Sequence, residues 1–234
     1  MNNCPVCNTA NRDFTLRCAS CGSNIQQSVK TLDLFSTMYS LWRHPEFTFR
    51  KIILAQHKNY TVLIAFLEAV GISYFFLFII KAGDIYSIEL WRLIVSGLTM
   101  AVLVFFPFLY IFSIACYFVT RASLTGATLR GFISSTVYSL HPIALSAIIL
   151  LPSEIAVFGP FLFSNNPSPS VINPLPFYSL SFLDLVFALG AIVFTGRLTK
   201  LLFGKRKLIV VFAGIFFIFL VVAIEIAKRI LMQH

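Results

Sequence analysis

The run Tyr60-Thr61-Val62-Leu63-Ile64-Ala65-Phe66-Leu67-Glu68-Ala69-Val70-Gly71-Ile72-Ser73-Tyr74-Phe75-Phe76-Leu77-Phe78-Ile79-Ile80 carries a single charge, at Glu68. As a helix it covers about 30 Å, the hydrocarbon thickness of a bilayer. Working outward, further apolar runs lie near residues 91–119, 131–151, 180–202 and 208–227. The second is too short for two spans and a turn, so it reads as one long helix, kinked at Pro107. The expected fold is an all-α membrane protein, a bundle of five transmembrane helices. Composition agrees: hydrophobic residues make up 58% of the chain and charged ones 12%, against roughly 25% charged in soluble domains. Mean hydropathy is +0.87. The net charge of +9 sits in clusters between the apolar runs, which marks topology and not a nucleic-acid stripe.

Lys and Arg set the orientation. Seven lie before the first span, Arg121 and Arg130 follow the second, and Arg197, Lys200, Lys205, Arg206 and Lys207 flank the turn between the fourth and fifth. With five spans those fourteen fall on one side, against Lys81, Arg92, Lys228 and Arg229 on the other. The N terminus is therefore expected in the cytosol and the C terminus outside, in the plasma membrane if the source is bacterial. The start Met1-Asn2-Asn3-Cys4 has no leader pattern. The outer loop 152–177 has no Lys or Arg and holds six prolines. That density predicts an extended cover, its apolar part dipping into the interface.

The N-terminal segment reads Cys4-Pro-Val-Cys7, ten residues, then Cys18-Ala-Ser-Cys21-Gly22. Each Cys-x-x-Cys turn supplies two thiolates to a tetrahedral metal, so Cys4, Cys7, Cys18 and Cys21 are expected to hold a structural Zn²⁺. Such a turn needs a residue tolerant of positive φ after its second cysteine. Gly22 and Asn8 suit it. The short gap predicts a minimal ribbon with a turn at Asn11-Arg12-Asp13 and a strand through Phe14 and Leu16. The chain thus divides into a zinc ribbon (1–24), a linker with amphipathic pre-membrane helices (25–58) and a five-span domain (59–234).

In that middle segment Leu34, Phe35, Met38, Leu41 and Trp42 recur at helical spacing, and Pro45 opens a second short helix. Its basic and aromatic residues suit a membrane interface. The stretch Leu41-Trp42-Arg43-His44-Pro45-Glu46-Phe47-Thr48-Phe49-Arg50-Lys51-Ile52 resembles the pre-membrane motif of the Yip family (Ypt/Rab-interacting proteins), a proline followed by an aromatic and a basic pair. The run from Gly131-Phe132 to Tyr138-Ser139-Leu140-His141-Pro142 resembles the third span of that family. Bacterial proteins of this kind often carry an N-terminal zinc ribbon. The resemblance covers roughly residues 35–228 and implies a five-helix bundle with a cytosolic N terminus. The acidic-Leu-Tyr-Gly-Pro motif of eukaryotic members is absent, so no Rab binding is carried over.

Glu68 and His141 lie near one depth in the first and third spans. Charged groups there are functional candidates by default. The expected arrangement is an intramembrane polar pair, a hydrogen bond tying two helices; a proton or ion pathway is the sharper alternative. No His-Glu-x-x-His, Gly-x-Ser-x-Gly or phosphate loop occurs. The function expected is a non-enzymatic membrane adaptor or organiser that docks a protein partner through the zinc ribbon or self-associates. The alternative is a small transporter or channel using Glu68 and His141, which five spans, indivisible into two inverted repeats, disfavour.

Overall fold

The computed structural model describes residues 2–11, 15–25, 31–85, 89–120 and 127–203. Near the N terminus, β1 (Asn2–Asn3) pairs antiparallel with β2 (Ala10–Asn11), Asn3 opposite Ala10. Among the described residues the α-helices are α1 (Leu34–Arg43), α2 (Pro45–Leu54), α3 (Thr61–Ile80), α4 (Ala82–Ile85), α5 (Leu90–Met100), α6 (Phe106–Thr120), α7 (Leu129–Phe158), α8 (Pro169–Ile172) and α9 (Pro174–Phe203).

Among the described residues four helical stretches are long and apolar enough to cross a bilayer: Thr61–Ile80, Leu90–Phe118, Leu129–Phe163 and Pro174–Leu202. They match the first four expected spans, the last two being longer than their apolar runs. The fifth run, 208–227, lies outside the described residues.

Local chemistry sets the ends. Asp33 caps α1 by accepting the Ser36 N–H at 2.8 Å. Thr128 caps α7 by accepting the Gly131 N–H at 3.1 Å. Pro45 occupies the first turn of α2, where no N–H is needed. At the other end of α2, the Lys58 ammonium donates to the carbonyls of Ile52, Ile53 and Ala55 at 2.7, 3.2 and 2.9 Å. Burial, and the nearby Arg130, pull its pKa down to about 8.

The second span departs from a regular α-helix where expected. Between α5 and α6, residues Ala101–Phe105 form a π-helical stretch, and the Phe106 N–H bonds to the Ala101 carbonyl. Pro107 follows directly. Its ring clashes with a regular helix and it has no N–H, so the wider turn accommodates it.

The expected extended cover over 152–177 is corrected. Pro142 and Pro152 lie inside α7, which runs on to Phe158 and into a 3₁₀ turn, Gly159–Phe163. Pro160 and Pro169 sit in the first turns of the 3₁₀ segment and α8, and Pro174 begins α9. Pro160, Pro169 and Pro174 thus start helical segments, the position where proline costs least. Within its apolar part, Phe158, Leu162 and Phe163 are buried in a core with Leu77, Leu93 and Phe105.

The central element is α7, packed between α3 and α9, with α2 and α6 against it. A second core joins Leu41, Phe49 and Ile52 of the short helices to Phe132, Tyr138 and Phe194. Thus α1 and α2 pack into the bundle's core. Hydroxyls cross between helices, as small polar residues do in membrane bundles. Thr61 Oγ1 donates to Ser134 Oγ at 3.0 Å, Ser139 and Thr195 pair at 3.2 Å, and Ser73 Oγ donates to the Gly97 carbonyl at 2.9 Å.

Candidate metal centre and the buried polar residues

The cysteine module is built from two copies of one turn, fourteen residues apart. In the first, the Asn8 N–H bonds to the Cys4 carbonyl and the Cys4 N–H to the Thr9 carbonyl, both at 3.0 Å. In the second, the Gly22 N–H bonds to the Cys18 carbonyl at 3.0 Å and the Cys18 N–H to the Ser23 carbonyl at 2.8 Å. Asn8 and Gly22 take positive φ, 56° and 71°, as the sequence predicts. The Asn3–Ala10 pair flanks one turn and the Arg17–Asn24 bridge the other.

These turns bring Cys4, Cys7, Cys18 and Cys21 together, all four Sγ atoms within 4.8 Å of one another. Two close approaches run between the copies: Cys4 to Cys21 at 3.6 Å and Cys7 to Cys18 at 3.5 Å. A tetrahedral ion with sulfur bonds of about 2.3 Å would separate its sulfurs by roughly 3.8 Å. No disulfide joins them. The donor set and spacing therefore fit a four-sulfur metal site.

A ring of donors supports the sulfurs. The Val6 N–H points at Cys4 Sγ, 3.4 Å away. Ser23 Oγ lies 3.1 Å from Cys4 Sγ and 3.0 Å from Cys21 Sγ, and Thr9 Oγ1 lies 3.2 Å from Cys7 Sγ. The Ser23 hydroxyl and the Cys7 N–H lower the Cys4 pKa to about 6, and the N–H groups of Cys21 and Ser20 lower that of Cys18. Both shifts favour thiolates, the ligating form. Asn11 ends β2, and the rest of the turn expected at Asn11-Arg12-Asp13 lies outside the described residues. The Asn11 amide accepts from the Ala19 N–H at 3.1 Å and reaches Cys18 Sγ at 3.6 Å, tying the second copy to β2. Thr9, Ser23 and Asn11 are supporting residues the sequence reading missed. The fourteen-residue offset, which superposes Thr9 on Ser23, was the signal for two of them. Arg12, Asp13 and Phe14 lie outside the described residues.

Glu68 and His141 do not form the expected tie. Both are fully buried, yet both Glu68 oxygens and His141 Nε2 lack a hydrogen-bond partner. His141 Nδ1 is bonded instead to the Tyr138 carbonyl one turn back, at 2.8 Å. Its ring meets Trp42 of α1 edge-on at 5.9 Å and Phe194 of α9 at 5.0 Å. Depth along a helix was legible; the face each side chain takes was not. Ser146 Oγ donates to Asp184 Oδ1 at 2.5 Å. A lateral crevice of about 440 Å³ between α3, α7 and α9 exposes both residues beside Glu154. It reaches neither Glu68 nor His141.

Fold and site together define a helical bundle with membrane-length helices, preceded by a paired-turn four-thiol module. No protein-family model matches the chain, and neither a curated protein nor a solved structure matches it.

Proposed function

We propose that this chain is a non-enzymatic integral membrane adaptor or organiser of the Yip type. Its helices span the bilayer with the N terminus in the cytosol, α1 and α2 meet the membrane interface, and residues 1–24 form a structural zinc ribbon that docks a partner. One observation carries this reading: four thiols converge from two matched turns. Four sulfurs complete a tetrahedral zinc shell and leave no position for a substrate, so the ion's work is to fold the module. Zinc should bind at one equivalent, and Cys18→Ser should remove it. In detergent, the full chain should retain a protein partner that the Cys18→Ser chain loses. A partner held equally by both would reject docking through the ribbon.

The second reading is a small transporter or channel. The unpartnered, buried Glu68 favours it, because a carboxyl at bilayer depth with no hydrogen bond is costly unless used. Proton flux into liposomes holding the protein, abolished by Glu68→Gln, would support it. No flux above empty liposomes would reject it.

A further inference from the structure

Where α1 meets α2, an open notch of about 470 Å³ gathers three arginines from three helices. Arg43 is the last residue of α1, Arg50 lies within α2, and Arg197 comes from α9. His44, Pro45, Glu46 and Phe47 complete the lining. The lining carries three guanidinium groups and one carboxylate, that of Glu46. The first turn of α2 opens into the same notch, and no side chain caps it. The positive end of that helix adds to the field.

Position says what this charge is for. Arg197 precedes the end of α9 by six residues, which places it about 9 Å inside that end. The neighbouring surface is apolar: Phe47, Trp42, Ile192 and Val193 are all exposed. If the bundle spans the membrane, as proposed above, this is the depth at which hydrocarbon gives way to headgroups. Arginine forks match phosphate oxygens in pairs. A phosphodiester with no ammonium beside it suits the notch best, since three arginines repel a cationic headgroup.

We propose that Arg43, Arg50 and Arg197 form a binding site for the phosphate of an anionic phospholipid in the leaflet that meets α1 and α2. The lipid seats its phosphate among the guanidinium groups and lays its chains against Phe47 and α9.

The full chain, reconstituted in phosphatidylcholine nanodiscs doped with phosphatidylglycerol, tests this by native mass spectrometry of the lipids it retains. Wild-type protein should retain phosphatidylglycerol preferentially. Arg43→Gln and Arg197→Gln should each lower that preference roughly fivefold, from about 1 kcal/mol per basic group near the surface. Arg197→Lys should fall in between, while Lys81→Gln, at the other end of α3, should change nothing. An unchanged preference in the Arg43→Gln/Arg197→Gln chain overturns the site. Should that chain not fold, the Arg197→Lys chain decides: an undiminished preference overturns it equally. Inorganic phosphate that displaces phosphatidylglycerol from the wild type would assign the notch to a free anion and overturn the lipid assignment; retention supports it. Resistance to alkaline carbonate extraction reads membrane spanning separately.

Discussion

Gly22 and Asn8 hold the two positions at which the cysteine turns reverse. A Cβ on Gly22 would meet nothing within 4 Å, so only its φ of 71° opposes a side chain. Gly22→Ala should cost about 1–2 kcal/mol. Because metal binding folds the module, zinc affinity should fall roughly 5- to 30-fold in chelator competition. Gly22→Asn should be nearer wild type, since its counterpart Asn8 takes the same conformation. Glu68 gives a prediction of opposite sign. With both carboxyl oxygens unpartnered, Glu68→Leu removes an unpaired buried group and should raise stability by about 1–3 kcal/mol in detergent melting. A loss of stability would reveal a partner for the carboxyl. The metal ligands were legible because Cys-x-x-Cys spacing fixes the turn and therefore the sulfur positions. The Glu68–His141 tie was not, because rotation about a helix axis depends on neighbours that spacing does not contain.

The turn after α3 hangs on one carboxylate. Asp84 of α4 accepts from the Ser164 hydroxyl, and from the Asn165 N–H at 3.0 Å, so it ties α4 to the turn that follows α7. The Ser164 hydroxyl and then the Asn165 N–H hold its pKa below the usual carboxylate range. A lowered folded value means the ionised form stabilises the fold. That contribution is complete above the unfolded pKa of about 3.9 and is lost as pH falls through the lower folded one. Asp84→Asn should melt earlier than wild type at neutral pH, and the gap should close on acidification. The helices around this turn show what sequence leaves out. Proline density predicted extended chain over 152–177, but proline's cost depends on where in a helix it sits. Pro160, Pro169 and Pro174 take first-turn or starting positions that their number alone could not reveal. In the second span, by contrast, Pro107 marked the irregularity correctly, because a missing N–H in mid-helix must be accommodated wherever it falls.

On the scale of the molecule, five spans rest on a charge count, and the described residues carry four of them. A reporter active only outside the cytosol, fused after His234, should be active; a cytosolic signal from that fusion would make the number of spans even. The bundle also draws in segments that sequence placed beside it. Leu41, Phe49 and Ile52 of the short helices are completely buried with α7 and α9. Trp42 turns one edge toward Phe194, with ring centroids 5.1 Å apart, and keeps half its surface exposed. The chain's other tryptophan, Trp91, starts α5 at the end where α3 finishes, stacked near the Arg92 guanidinium at 5.4 Å. The two indoles therefore report on different helices, α1 and α5. With Trp91→Phe, the remaining emission follows α1 alone. Its colour and its quenching by brominated acyl chains would register any lifting of that helix from His141 and Phe194, without a dye and in intact membranes.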